Sequence, residues 1–285
     1  MLRSFLSTFV EYTTDVFPYF LLASLIGAIL QSLGGARLVS GRLVNSRYAP
    51  LFTAGVGAVV PLCSCSMIPV ARTINSFSRR SYAPVLSFLI TAPVLSPLVI
   101  LLTFGVFGLE ITLLRVLHVL LFALTLSVAV HFLFPKREIL PLIQGGFQEE
   151  RGKLETFLRS FRDLFLSTGK YVLLGLLIAS LIKVLVPEEL IASFASHSLS
   201  YPLIALLSVP IYVCSGEEVP IARSLHELGL THGQALTFML ASTGICVPTV
   251  VALPNFLPRR IVFLYGASWF LVSLLAGFLT DAFLN

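Results

Sequence analysis

Apolar residues run through this chain in stretches too long and too numerous for a water-soluble core to bury. They fall at about 16–33, 48–71, 82–104, 111–134, 164–186, 201–222, 234–252 and 260–282. Roughly 20 apolar residues carry a helix across the hydrocarbon layer. Only a closed backbone hydrogen-bonding pattern survives there, so the segments read as helices. The fold class expected is an all-α membrane protein with about eight transmembrane helices. Composition agrees: of 285 residues 56% are hydrophobic and 12% charged, with a mean hydropathy of +0.94. An ordinary soluble domain carries roughly 25% charged residues.

The formal charge of +5 is not a nucleic-acid footprint. In a membrane protein basic residues mark the cytoplasmic loops, and here they gather in short connections and one central linker. The expected location is a membrane, multi-pass, with the lipid bilayer as solvent. Four cysteines in a chain of this size do not suggest a disulfide framework. Arg3 and the apolar run that follows resemble a signal peptide, but the run recurs in the second half and is read as a span. Gly169-Lys170 lacks the upstream glycine of a phosphate-binding loop, Leu164 standing there instead. No ATPase, other enzyme activity or cofactor is expected.

The halves repeat. Tyr19–Ile26 matches Tyr171–Ile178, Pro61–Ser66 matches Pro210–Ser215, and Ile68–Arg72 matches Val219–Arg223. Phe88 then matches Phe238, and Pro97 matches Pro248, all at an offset of about 150 residues. The chain divides into repeat 1 (1–134), a charged cytoplasmic linker (135–162) and repeat 2 (163–285), each repeat with four membrane segments. Internal repeats place the solute site of many transporters at the repeat interface. Eight full crossings would make the repeats parallel. If the proline-rich segments dip in and return, they are inverted.

Those prolines fall in pairs. Pro61 and Pro69 interrupt the second segment, Pro210, Gly216 and Pro220 the sixth, Pro93 and Pro97 the third, and Gly244 and Pro248 the seventh. Proline removes a donor and clashes with the preceding turn, so proline-broken helices are expected at the repeat interface. All four cysteines lie in these breaks. Cys246 reads as a small buried hydrophobe. Cys63, Cys65 and Cys214 read together as ligands for a soft ion or metalloid, since thiolates select such solutes. Residues i and i+2 of a helix diverge by about 200°, so Cys63 and Cys65 converge only if the segment is unwound. Ser64, Ser215 and Ser96 complete the polar lining.

Glu217 and Glu218 sit inside the sixth segment, where carboxylates are costly and usually functional. One could carry a proton or complete a cation site. The bland alternatives are that the stretch reaches the membrane surface and the acids are solvated, or that they pair with Arg72 or Arg223. His118 and His131 read as interhelical hydrogen-bonders.

The runs PLCSCSMIPVA, SFLITAPVLSP, YVCSGEEVPIARSL and FMLASTG resemble the DUF318 or predicted-permease family, which includes the ArsP organoarsenical efflux permeases. The resemblance covers nearly the whole chain. It implies an eight-helix permease of the cytoplasmic (inner) membrane, with Cys63, Cys65 and Cys214 as ligands for trivalent arsenic. Where many relatives carry Asn and a carboxylate, this chain has Ser96 and Thr249. The function expected is a secondary transporter moving a small, thiophilic solute, a trivalent arsenical or soft metal ion. A membrane thiol oxidoreductase, a metal-cation transporter using Glu217 and Glu218, and a non-transporting scaffold are the alternatives. The sequence leaves homo-oligomerisation open.

Overall fold

The computed structural model describes residues 45–46, 48–60, 62, 64, 67–78, 80–134, 200–209, 213, 216–227 and 229–284, with isolated positions within 6–25 and 157–177. Cys63, Cys65, Cys214 and Ser215 lie outside the described residues, as do residues 135–150 of the linker.

The first half contributes α1 (Ala49–Val59), α2 (Met67–Phe77), α3 (Ala83–Thr91) and α4 (Pro97–Leu133). The second contributes α5 (Ser200–Ser208), α6 (Glu218–Glu227), α7 (His232–Gly244), α8 (Val247–Ala252) and α9 (Arg259–Leu284). Among the described residues there is no strand. Among the described residues three stretches are long and apolar enough to cross a membrane: Pro97–Leu133, His232–Asn255 and Arg259–Leu284.

The prolines act as helix starts. Prolines stand in the first two positions of α1, α3, α4 and α8, where the missing N–H has no intrahelical partner to lose. Thr231 and Gln234 start α7 with a reciprocal capping box, satisfying two otherwise orphaned donors.

The segment 48–71 is two short helices rather than one span. Arms α1 and α2 have 11 residues each, about 16 Å at the helical rise, half the hydrocarbon thickness. Their outer ends meet, Asn45 Nδ2 donating to Phe77 O at 3.1 Å. Helix α1 lies along α3, and a Cβ on Gly57 would stand 2.3 Å from Thr91 Oγ1. The chain therefore dips in and returns to the end it left.

Arms α5 and α6 do the same at the other end. Ser200, at the base of α5, accepts from Gln234 Nε2 at 2.9 Å. His226, at the end of α6, stacks on His232 at the start of α7, with ring centroids 4.4 Å apart.

Beside each hairpin lie a broken crossing and a return helix. Helix α3 is continued past a turn at 92–96 by Pro97–Phe107, and α4 then bends at Gly108, whose φ of 81° favours glycine. The rest of α4 runs back, so that Ser127 Oγ reaches Ser87 Oγ at 2.6 Å. Likewise α7 is interrupted after Gly244 and continued by α8. Helix α9 returns until Asp281 Oδ1 accepts from Gly233 N at 2.7 Å. Phe107 meets the ring of His226 with centroids 6.2 Å apart, next to the start of α7. Helices α3 and α7 thus enter from opposite ends of the bundle.

The faces sort as lipid solvation requires. Leu109, Leu113, Leu117 and Leu121 are each more than half exposed along one stripe of α4, the four-residue spacing placing them on a single face. Phe263, Leu271, Leu275 and Phe278 do the same on α9. Inside are Ser87, Thr91, Thr103, Ser127, Thr237, Ser242, Thr243 and Thr249. Small residues let backbones approach: a Cβ on Gly277 would stand 1.9 Å from Thr237 Oγ1 and 2.6 Å from Gly233 O.

Candidate functional site

The two interruptions lie at one depth. Tyr265 Oη donates to Gly244 O at 2.9 Å and lies 3.5 Å from Leu89 O. Gly244 ends α7, and Leu89 precedes the 92–96 turn by one helical turn. Trp269 closes this layer from α9: a Cβ on Gly244 would come within 2.6 Å of its indole. Phe122 meets the same ring edge-on, with centroids 4.9 Å apart.

A helix that stops inside a membrane leaves carbonyls without intrahelical donors, and Pro248 cannot supply an N–H. The α1/α2 hairpin meets that need. Ser64 Oγ donates to Thr243 O at 3.0 Å. Thr249 Oγ1 lies 3.3 Å from Ser64 O and donates to it. The Thr249 hydroxyl is also 2.9 Å from Cys246 Sγ. Ser64 is buried, 2% exposed. Cys246 is fully buried, as its reading as a small hydrophobe expected. Ser96 is buried too, at the start of α4 in an extended backbone conformation, and its side chain makes no capping bond.

The expected acids divide. Glu217 is exposed. Glu218 is fully buried at the start of α6, and its partner is neither arginine named from the sequence. Arg115 Nη2 donates to Glu218 Oε1 at 2.8 Å with both side chains 0% exposed. Glu218 Oε2 accepts from Gly216 N, whose φ of 107° turns the tip of the α5/α6 hairpin. Arg115 Nη1 donates to Thr103 Oγ1 at 3.0 Å and lies 3.5 Å from Met239 Sδ. One guanidinium thus joins α4, α6 and α7. Arg223 pairs instead with Glu227 of its own helix, at 2.9 Å and exposed.

Arg115 was not singled out from the sequence, although the signal was there. It is the lone arginine or lysine of the apolar run 111–134, and a charge within such a run is functional by default. His118 Nδ1 lies 2.7 Å from Leu114 O on its own helix.

Three known proteins are similar to the chain over most of its length. A Bacillus subtilis protein named UPF0718 protein YcgR is 25% identical over 280 residues, covering 95% of this chain and 94% of its own length. A Streptococcus mutans protein, provisionally named a two-component membrane permease complex subunit, is 24% identical over 230 residues, covering 77% and 76%. A UPF0718 protein of Methanocaldococcus jannaschii is 20% identical over 338 residues, covering 92% of each chain. No solved structure matches the chain. A multi-pass membrane protein by its apolar helices, the chain belongs to the ArsP_1 family, described as predicted permease, whose pattern matches residues 1–282.

Proposed function

We propose that this chain is a secondary permease of the cytoplasmic membrane, carrying a small thiophilic solute through a centre formed where the two hairpin tips approach the two helix breaks. The solute is a trivalent arsenical or soft metal ion, held by Cys63, Cys65 and Cys214, with Ser64, Ser96, Ser215 and the buried end of Glu218 around it. Glu217, exposed at the same tip, stands at the approach.

One observation carries the reading. Ser64 is bonded to Thr243 O at 3.0 Å in the core, and Cys63 and Cys65 are its neighbours in sequence. A hydrogen bond to the broken α7 backbone and one from the Thr249 hydroxyl of α8 hold this tip at half-membrane depth without a continuous helix. An unwound segment of this kind is what two cysteines two apart need to converge.

The halves are repeats inverted about an axis in the membrane plane. In its support, α1 packs on α3 and α4 as α5 packs on α7 and α9, and α2 packs on α3 as α6 packs on α7. The hairpins enter from opposite ends, each ending near the middle. Inverted repeats with discontinuous helices suit alternating access, one half rocking against the other around a fixed site. The streptococcal relative's name motivates a second element, a partner or second copy in an assembled permease.

The experiment is cellular accumulation of trivalent inorganic and methylated arsenic in an efflux-deficient host. The native chain should lower accumulation, and Cys65→Ser and Cys214→Ser should each abolish the effect. Unchanged accumulation with native protein confirmed in the membrane would remove arsenic from this reading and call for a soft-cation panel.

A further inference from the structure

Arg115 has donors beyond its partner's needs. Nη2 serves Glu218 and Nη1 serves Thr103, while the buried Nε–H finds no acceptor among the described residues. A buried donor left unsatisfied is costly. A buried ion pair is also weak evidence for stability, because desolvation offsets the attraction.

The fold does not need this charge. By the sequence correspondence of Ile68–Arg72 with Val219–Arg223, Glu218 stands where the first half has Met67. Met67 starts α2 as Glu218 starts α6, and both are fully buried. One half builds the same hairpin with an apolar residue.

The charge balance then decides what fits. The carboxylate of Glu218 is already answered by Arg115 and by Gly216 N–H, leaving no negative charge for a cation. The pair is neutral as a whole, so a bare metal cation would have to displace Arg115 from Glu218 to find a ligand, whereas an oxygen can accept the unanswered Nε–H. What the site lacks is an acceptor. We propose that Arg115 sets the solute class of the permease: its guanidinium receives an oxygen of a small oxyacid or oxyanion, and bare metal cations are excluded. This rests on the permease reading and narrows it.

The test is the melting temperature of the full chain in detergent, titrated with arsenite, sulfite and phosphate as oxyacid probes and with Cd2+ and Ag+ as soft cations. The native chain should be stabilised by at least one oxyacid. Arg115→Lys keeps the charge but loses the fork, and should raise the half-saturating concentration about tenfold. Arg115→Met/Glu218→Met removes both charges at similar volume; it should stay folded and show no oxyacid shift. A native chain shifted by cations alone, or by none of the oxyacids, would overturn the inference. So would an oxyacid shift untouched by Arg115→Lys or kept by the double variant. The same titration on a chain with all four cysteines changed to serine separates the two readings. Oxyacid shifts that persist there and still depend on Arg115 uphold this inference and remove the thiol site. Loss of the arsenite shift there, with Arg115→Lys still weakening it in the native chain, upholds both.

Discussion

Ser64 and Thr243 are 179 residues apart in sequence and joined by a buried hydrogen bond of 3.0 Å. One belongs to a hairpin that never completes a crossing, the other to the last turn of a helix that stops halfway. Each supplies what the other's irregular backbone lacks. Irregular backbone is tolerated at membrane depth on that condition.

The hairpins give the bundle a testable sidedness. Arg80 lies at the base of the first hairpin, its Nη1 reaching Asn45 O at 3.5 Å. Glu227 closes the second hairpin at the other end. Single cysteines at positions 80 and 227, in a chain otherwise free of cysteine, should react with an impermeant maleimide from opposite faces. Eight uninterrupted crossings would put both positions on one face.

Close packing of α7 on α9 depends on glycine. Gly277→Ala should lower stability by about 1–3 kcal/mol, because its Cβ would overlap Thr237 and the Gly233 carbonyl. Gly266, on the same helix, has nothing within 4 Å of a Cβ, and Gly266→Ala should be neutral or slightly stabilising. Thermal unfolding in detergent compares them, and equal losses would show that the α7–α9 approach is not as described.

The Tyr265 hydroxyl ties the two breaks together. Tyr265→Phe keeps the ring packing and removes the bond to Gly244 O, a loss of about 0.5–1.5 kcal/mol in melting experiments. Solute flux should fall further than that stability loss explains. Unchanged flux would make Tyr265 a packing residue only.

Removing one partner of the buried pair is a different matter from removing both. Arg115→Met leaves the buried Glu218 carboxyl with only the Gly216 N–H, and should cost about 3–5 kcal/mol. The double variant with Glu218→Met should recover most of it. A single variant as stable as the native chain, read by unfolding in detergent, would contradict the burial of the pair.

Sequence reasoning reached the membrane class and the sites of helix interruption, because long apolar runs and paired prolines act locally. Pro97 and Pro248 do stand just inside new helices. It read 48–71 as one crossing and left a dip and return open, since an apolar hairpin and an apolar span have the same composition. Only the bond from Asn45 to Phe77 shows that the chain comes back. The partner of Glu218 was also out of reach. Arg72 and Arg223 were nearer by motif, while Arg115 is brought in from 103 residues away by the bend at Gly108. The cysteine positions Cys63, Cys65 and Cys214 stand on the sequence and on their described neighbours Ser64, Val213 and Gly216.

The most direct measurement is flux of methylarsonous acid into vesicles carrying the purified native chain or its Cys65→Ser/Cys214→Ser variant. The account predicts protein-dependent flux that falls at least about tenfold in the variant, the loss of one strong ligand contact being worth that much. Equal flux through both would contradict a thiol centre.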